Sequence, residues 1–201
     1  MKFIEFQKNI APLPFFSLHD ARLVEPAFDR RRFHEWSKKG YIKFLTRGWY
    51  IFTDCTIDER MLDQMSNRLY SPSYISLETV LSRSGIIPDT VRAVTSVTTL
   101  KTRSIKTEFA TFSYRTIVPR LFFGYDIVNG IKTACLEKAL IDFFYLHPDQ
   151  RAYEDFDSLR MDRQMITEQL DCRRFEKMLT KCAVQALRQR AAVFLKWMHN
   201  A

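Results

Sequence analysis

The sequence lacks the short motifs by which many enzymes can be recognised. It contains no Gly-rich phosphate loop, no nucleophile elbow and no zinc-hydrolase helix motif. A structural zinc site needs clustered thiolates or imidazoles, but the four cysteines are scattered without a Cys-x-x-Cys pair: Cys55, Cys135, Cys172 and Cys182. We therefore expect buried free thiols in a reducing compartment, with no metal and no cofactor.

Long apolar runs are also missing. No stretch approaches the roughly 20 uninterrupted apolar residues that a membrane span needs. The first residues, Met1 to Phe6, carry an early acid at Glu5 and no long apolar run, which argues against a secretory signal. These absences predict a cytoplasmic protein without a membrane partner.

What the sequence does have is the composition of an ordinary globular protein, with 46% hydrophobic and 27% charged residues. Seventeen Phe and three Trp residues supply material for a core. The length of 201 residues suits one large domain or two small ones.

The charge is basic and unevenly distributed. The net charge is +8, which favours a polyanionic partner. Residues 1–56 contain ten Lys or Arg residues against six Asp or Glu residues, so the first quarter of the chain carries half of the excess positive charge. A DNA-binding unit is therefore expected near the N-terminus.

The first 40 residues show three helical patterns. Apolar residues over 2–10 predict a short first helix. Ser17 and Asp20 have the spacing of a capping box, which opens a second helix. Asp29 can cap a third helix, and Gly40 follows as the residue that ends it.

After Gly40 the pattern changes to that of a β-hairpin. Residues 41–45 and 49–52 are typical of two strands, separated by a turn with Arg47 at its centre. Helix, turn, helix and then a tight basic hairpin is the order of a winged helix-turn-helix. We therefore predict such a domain over residues 1–55, followed by a larger mixed α+β domain over residues 56–201 with a mostly antiparallel sheet.

The third helix and the hairpin predict a DNA-contacting face. Phe33 and Trp36 share one side of the helix with Phe28 and should anchor it in the core. We expect the outward positions of the helix, together with two basic residues of the hairpin, to contact DNA: Arg30, Arg31, His34, Ser37, Lys38, Lys43 and Arg47. Arg30 and Arg31 are best placed to reach base edges, because they lie near the helix start and Arg can bond guanine bidentately. The other residues would contact phosphates, or the minor groove from the hairpin.

An alternative interpretation remains open for this module. Winged helices also serve as protein-interaction modules, in which the basic face would simply be solvated.

The second domain begins with two further helical patterns. Thr56 and Glu59 have the spacing of another capping box, and residues 74–81 predict a further helix that Gly85 ends. The chain then becomes β-rich, and the turn between the last two strands is the pair Asn129-Gly130, which suits a type I′ turn. The predicted strands are 92–98, 105–109, 111–117, 125–128 and 131–133.

A helix with regular apolar spacing follows these strands. Its core-facing positions lie three and four residues apart: Leu136, Ala139, Leu140, Phe143 and Phe144. Glu137, Lys138 and Asp142 occupy the other side, where a solvated face is expected and Lys138 can pair with Asp142 across one turn.

One long basic helix is predicted near the C-terminus. Its apolar face comprises Phe175, Met178, Leu179, Cys182 and Ala186. Its basic residues form either a solvated face or a contact with DNA or an acidic toxin surface: Arg173, Arg174, Lys177, Lys181, Arg188 and Arg190.

Three blocks of the sequence resemble those of a known family. The first combines residues 40–42 with residues 47–50, the second is Ser73–Glu78 and the third is Glu137–Asp142. In this order and spacing they are similar to the recurring blocks of AbiEi-like antitoxins. These are the transcriptional-regulator halves of type IV toxin–antitoxin operons, which act in abortive infection and phage defence. The resemblance covers most of residues 15–147.

The resemblance implies a partner for each domain. The winged helix would repress its own operon by binding inverted repeats in double-stranded DNA, where a homodimer would occupy two half-sites. The second domain would counter a nucleotidyltransferase-like toxin, by contacting it directly or by acting on its target. The resemblance brings no active site with it.

A metal-dependent nuclease is the enzymatic alternative to this interpretation. Glu78, Glu137, Lys138 and Asp142 are residue types that a metal-dependent nuclease uses. Such sites usually gather carboxylates and a Lys around one cleft, whereas three of these four residues share one helix. We therefore expect a protein that is not an enzyme.

Overall fold

A computed structural model describes residues 2–10, 13–88 and 93–199 of the chain. The chain divides into two compact units: the first is Met1–Met65 with Ile105–Phe109, and the second is Ser66–Ser104 with Ala110–Ala201. The fold is α+β, as predicted. The whole predicted N-terminal domain falls in the first unit, while the domain boundary at residue 55 stays a prediction.

Helices and a small sheet alternate in the first unit. In chain order the elements are α1 Phe3–Ile10, β1 Phe15–Ser17, α2 Leu18–Val24, α3 Arg31–Lys38, β2 Ile42–Thr46 and β3 Trp49–Phe52. The strands form an antiparallel sheet in the order β1-β3-β2. The predicted capping box opens α2: the Asp20 N–H donates to Ser17 Oγ at 3.3 Å, and the Ser17 N–H donates to Asp20 Oδ2 at 2.7 Å.

Aromatic side chains form the core of this unit. Phe33 and Trp36 are buried on the inner side of α3, as their spacing predicted. The Trp36 ring lies 4.8 Å from the ring of Phe6 on α1, and Phe33 lies 4.9 Å from Phe28. Since each buried aromatic ring removes a large apolar area from water, these contacts hold α3 against the rest of the unit.

The start of α3 differs from the prediction. The helix begins at Arg31, and its N-cap residue Arg30 makes no capping hydrogen bond with its side chain. Asp29 still contributes, because its Oδ1 accepts a hydrogen bond from the Arg31 N–H at 2.9 Å. The acid therefore lies one residue before the N-cap position.

The remaining elements follow in the order α4 Glu59–Leu69, β4 Ser73–Ile75, α5 Glu78–Arg83, β5 Ala93–Thr98, β6 Arg103–Lys106, β7 Thr111–Thr116, a 3-10 turn Pro119–Leu121, β8 Tyr125–Val128, β9 Ile131–Ala134, α6 Leu136–Leu146, α7 Tyr153–Ser158, α8 Arg163–Gln169, α9 Cys172–Cys182 and α10 Gln185–His199. Six strands form a sheet in the order β6-β7-β5-β4-β9-β8. Strand β4 pairs antiparallel with β5 and parallel with β9, and β5 pairs parallel with β7. Across the two sheets of the described residues, antiparallel pairs outnumber parallel ones.

The helix predicted over residues 74–81 is wrong in its first part. Ser73–Ile75 is a fully buried strand in the interior of the sheet, and α5 begins only at Glu78. Leu77, between them, has a φ of 59°, so the chain turns sharply there. A short apolar run buried on both faces has the same pattern in a strand and in a buried helix, which explains the error.

Several boundaries also shift. The helix predicted to be capped by Thr56 starts at Glu59, with the Met61 N–H donating to Asp58 Oδ1 at 2.7 Å instead. The strand predicted at 105–109 is Arg103–Lys106, and the strand predicted from residue 92 is described from Ala93 on, because residue 92 lies outside the described residues.

The C-terminal region contains two helices where one was predicted. Helix α9 ends at Cys182, and Ala183 adopts a left-handed φ of 53° before α10 begins. This break rotates the following residues: Ala186, predicted in the apolar face, is exposed, while Leu187 is buried. Arg190, predicted on the basic face, is buried as well. Among the described residues, no helix combines the length and the apolar character that crossing a bilayer requires.

The four thiols are free, but they are less buried than expected. Cys182 is buried, whereas the other three are half-buried: Cys55, Cys135 and Cys172. Burial raises the pKa of the Cys135 thiol to about 11, which keeps it in the unreactive protonated form near neutral pH.

Two glycines with nearly equal φ angles allow a matched stability test. Gly124 has a φ of +77°, and an added Cβ would lie 3.0 Å from the Lys138 side chain. Gly130 has a φ of +78°, and a Cβ there would meet nothing within 4 Å. We expect Gly130→Ala to cost about 1–2 kcal/mol, the strain of a left-handed non-Gly residue. Gly124→Ala should cost more in urea denaturation, because a buried side chain must also move; equal costs would contradict the close packing at Gly124.

Candidate nucleic-acid interface

Helix α3 has two different flanks on either side of its buried row. Arg30, His34 and Ser37 are spaced by four and three residues, and Arg31 and Lys38 lie beside them, so the five predicted contact residues share one flank. All five are exposed. The Phe33 ring at the border of this flank lies 4.5 Å from the ring of Tyr50 on β3, so the flank lies on the hairpin side of the helix.

The opposite flank of α3 lines a surface cavity of about 560 Å³ near the start of α1. Arg32, Glu35 and Lys39 belong to this lining, along with Lys2 and Tyr41. Glu35, the acid that would oppose DNA binding, lies among three cations of this lining, and it is also one helical turn after Arg31, at the border of the predicted contact face.

Arg32 has a structural role that its sequence context did not reveal. Its Nη1 lies 2.6 Å from Glu25 Oε2, and its guanidinium lies 5.4 Å from the Phe28 ring centre. Both partners belong to the turn between α2 and α3. Arg32 thus fixes the orientation of α3 relative to α2, whereas its two neighbours Arg30 and Arg31 are exposed.

The β2–β3 hairpin carries the remaining two predicted residues. Lys43 lies on β2 and Arg47 in the turn, and both are exposed. Lys43 pairs with Ile51 and therefore lies on the sheet face opposite to Phe44 and Tyr50, since successive side chains of a strand alternate. The structure brings the hairpin next to the exposed flank of α3, but Lys43 is on the far side of that hairpin.

The base of the hairpin is anchored close to the end of α3. Thr53 Oγ1 donates a hydrogen bond to the Gly40 carbonyl at 2.8 Å, and the Thr53 N–H donates to the Tyr41 carbonyl at 3.2 Å. These two bonds tie Thr53, the residue after β3, to the residues that follow α3, so the end of the hairpin is anchored to the end of the helix.

A second site is a buried polar network in the second unit, in which the predicted pairing of Lys138 with Asp142 is confirmed but its burial was not expected. Lys138 and Asp142 form an ion pair across one turn of α6, and both side chains are 0% exposed. Two hydroxyl groups from the β4 region complete the shell of the carboxylate: Tyr74 Oη donates to Asp142 Oδ2 at 2.9 Å and Ser76 Oγ donates to it at 2.8 Å. The solvated face expected for Glu137, Lys138 and Asp142 is therefore wrong, because all three side chains are buried.

Aromatic rings and a glycine enclose the lysine of this network. Its ammonium lies 5.5 Å from the Tyr74 ring centre and 5.4 Å from that of Phe123, distances suited to cation–π attraction. Its alkyl chain packs against Gly124. Burial raises the pKa of the Asp142 carboxyl, and Lys138 opposes that rise most strongly. Burial, followed by the Asp142 charge, raises the pKa of Tyr74.

The residues that suggested a nuclease are used in separate interactions. Glu137 accepts a hydrogen bond from the Asp171 N–H at 3.2 Å and lies 3.7 Å from Arg174, whereas Asp142 belongs to the buried network. Within the described ranges, no three His, Cys, Asp or Glu side chains are grouped so that they could hold a metal ion.

The buried network joins two sequence blocks that are distant along the chain. Tyr74 and Ser76 belong to block Ser73–Glu78, and the ion pair belongs to block Glu137–Asp142. Predicting the contact of Tyr74 and Ser76 with Asp142 from the sequence requires that Ser73–Ile75 be recognised as a strand. Comparison of the chain with models of known protein families and with curated proteins found no match.

The network makes a specific stability prediction. We expect Lys138→Met to destabilise the protein by about 3–5 kcal/mol in urea denaturation near neutral pH, because it leaves a buried carboxylate without a counter-charge. Without Lys138, burial raises the pKa of Asp142 further, so the folded state holds its proton more tightly than the unfolded state. The stability of this variant should therefore fall as the pH rises from about 5 to about 8.

The matched control is the double variant Lys138→Met with Asp142→Leu. It removes both charges, so it should regain much of the lost stability and lose the added pH dependence. A single variant that is as stable as the wild type, or a double variant less stable than the single one, would contradict a buried ion pair at this position.

Proposed function

We propose that the protein is a sequence-specific DNA-binding repressor that acts by binding and not by catalysis. The observation that carries the proposal is the arrangement of the first unit. The order α1-β1-α2-α3-β2-β3, with a β1-β3-β2 sheet, is the element order of a winged helix-turn-helix. In such a domain α3 is the recognition helix and the β2–β3 hairpin is the wing.

The charges of the first unit support this function. The exposed flank of α3 presents three cations, Arg30, Arg31 and Lys38. The acid Glu35 lies one turn after Arg31 at the border of this flank, where it lines a cavity together with Lys2, Arg32 and Lys39. In the proposed complex this flank enters the major groove, where Arg30 and Arg31 read base edges while Ser37 and Lys38 contact phosphates. His34 adds a phosphate contact, Arg47 reaches the backbone or the minor groove, and Lys43 contacts phosphates from the far side of the hairpin.

We further propose that the second unit is an antitoxin module of a type IV operon, directed against a nucleotidyltransferase-like toxin. The support is the resemblance of three blocks to AbiEi-like antitoxins. Two of these blocks supply the residues of the buried network, and these residues connect α6 to the β4 region of the second unit. In its role as a repressor, the protein would bind as two copies to an inverted repeat in the DNA upstream of the gene.

The DNA-binding proposal predicts two kinds of variant. Arg31→Ala should weaken binding to the DNA upstream of the gene by about 1–3 kcal/mol and relax the preference for one base pair. Arg47→Ala should weaken binding to all sequences alike and reduce the slope of log affinity against log salt by about 1. Fluorescence anisotropy at several salt concentrations measures both effects.

Lys8→Ala is the matched control, because it removes one charge from an exposed position on α1, outside the proposed interface. It should leave both affinity and salt slope close to the wild type. Equal binding of the wild-type protein to upstream and random DNA would rule out sequence-specific repression. No binding to either DNA would leave the winged helix as a protein-interaction module.

The antitoxin proposal has its own test. The neighbouring gene is expected to encode the toxin, which should inhibit growth when expressed alone. Co-expression of this protein should restore growth, and the double variant Arg30→Ala with Arg31→Ala should still restore it. In this experiment the toxin gene is placed under an independent promoter, so repression cannot lower its expression. Because the variant weakens only DNA binding, restored growth would then show neutralisation of the toxin without repression. Failure of the wild-type protein to restore growth would contradict the antitoxin assignment.

A further inference from the structure

An unusually exposed aromatic residue lies between the two parts of the proposed DNA-binding surface. Phe44 on β2 is 60% exposed, whereas the aromatic residues around it form the core of the first unit. Exposing a phenyl ring to water forgoes the stabilisation that its burial would give. Two basic residues of the hairpin, Lys43 and Arg47, are close to it in sequence, and the aromatic residue Tyr50 lies opposite it on β3.

The direction of the Phe44 side chain follows from its strand pairing. Phe44 lies directly opposite Tyr50 on the antiparallel β3, so both side chains point to the same sheet face. The two rings are 6.1 Å apart in an edge-to-face arrangement. Tyr50 in turn contacts Phe33 of α3 at 4.5 Å. Phe44 is therefore on the side of the hairpin that faces α3, at the outer end of a row of aromatic rings.

This row borders the flank of α3 that carries the proposed contact residues. Phe33 is three residues after Arg30 and four before Ser37, so these three side chains lie along one line of the helix. Phe44 extends this line outward past Tyr50. A ligand that contacts the exposed flank of α3 and reaches the hairpin from the same side would contact the Phe44 ring.

We propose that Phe44 is a specificity-determining residue that packs against the C5-methyl group of thymine. The proposal rests on the DNA-binding function above. The major groove exposes one apolar group, the thymine methyl, and an apolar side chain recognises it by excluding water. Because Phe44 is on the α3 side of the hairpin, it meets the groove that α3 enters, not the neighbouring minor groove. Its lack of charge distinguishes its role from that of the basic residues beside it.

The test compares two versions of the same upstream DNA, one with thymine and one in which uracil replaces every thymine. The two duplexes differ only in the C5-methyl groups of their thymines, of which Phe44 is expected to contact one. We expect the wild-type protein to bind the thymine duplex about fourfold more tightly, the value of one buried methyl group. Phe44→Ala should bind both duplexes equally, with affinity at or below that of the wild type for the uracil duplex, and with an unchanged salt slope.

Two further variants complete the design. Leu23→Ala is the control, because Leu23 is 72% exposed on α2 of the same unit and should keep the full preference for thymine. Phe44→Leu retains an apolar side chain and should keep part of the preference. Circular dichroism of each variant checks that the fold is intact.

The outcomes separate this inference from the function on which it rests. Absence of DNA binding by the wild-type protein would overturn the proposed function itself. Binding by the wild type with no thymine preference, or with a preference that Phe44→Ala retains, would overturn the role of Phe44 alone. If Phe44→Ala instead abolished a protein-induced bend, measured by energy transfer between dyes at the duplex ends, without changing the thymine preference, the residue would be a minor-groove wedge and the methyl contact would be wrong.

Discussion

A carboxylate and an ammonium group excluded from water set the strongest constraint on the second unit. Removing two charges from water costs several kcal/mol per ion, and only close pairing with further hydrogen bonds repays this cost. Asp142 therefore needs Lys138 on its own helix and the hydroxyl groups of Tyr74 and Ser76 from the sheet. Much of the surrounding structure serves this requirement. Strand β4 runs in the interior of the sheet, α6 turns its polar side inward, and Gly124 leaves room for the lysine chain.

The first unit is organised by a different constraint, the burial of aromatic rings around α3. Phe33 and Trp36 hold the inner side of the helix, and Arg32 with Glu25 fixes its position against α2. The exposed flank is thereby set beside the hairpin with its cations facing outward. The proposed role in major-groove recognition rests on these outward cations. The two units thus differ in chemistry: the first displays its cations at the surface, and the second keeps a cation in its interior.

Local patterns were sufficient at several places where one short segment determines the geometry, although the caps predicted at Asp29 and Thr56 were displaced. The capping box at Ser17 and Asp20 involves two residues of the same turn, and it forms as expected. The Asn129-Gly130 pair needs only two residues that accept left-handed angles, and their φ values are 51° and 78°. The apolar spacing in α3 likewise determined which side of that helix would be buried. The predicted strands at 111–117 and 125–128 lie at or within one residue of β7 and β8 because their flanking turns are unambiguous.

The sequence by itself determined the α+β class, the helix and hairpin order of the N-terminal module and the exposed positions of its basic residues, because these follow from local periodicity and turn chemistry. Only the tertiary structure decided that Ser73–Ile75 is an interior strand, that Lys138 and Asp142 are buried, and that the C-terminal region breaks at Ala183. A strand buried on both faces carries no period that distinguishes it from a helix. A charged pair on a helix has the same spacing whether water or a sheet covers it, so the decision lies with what packs against that face.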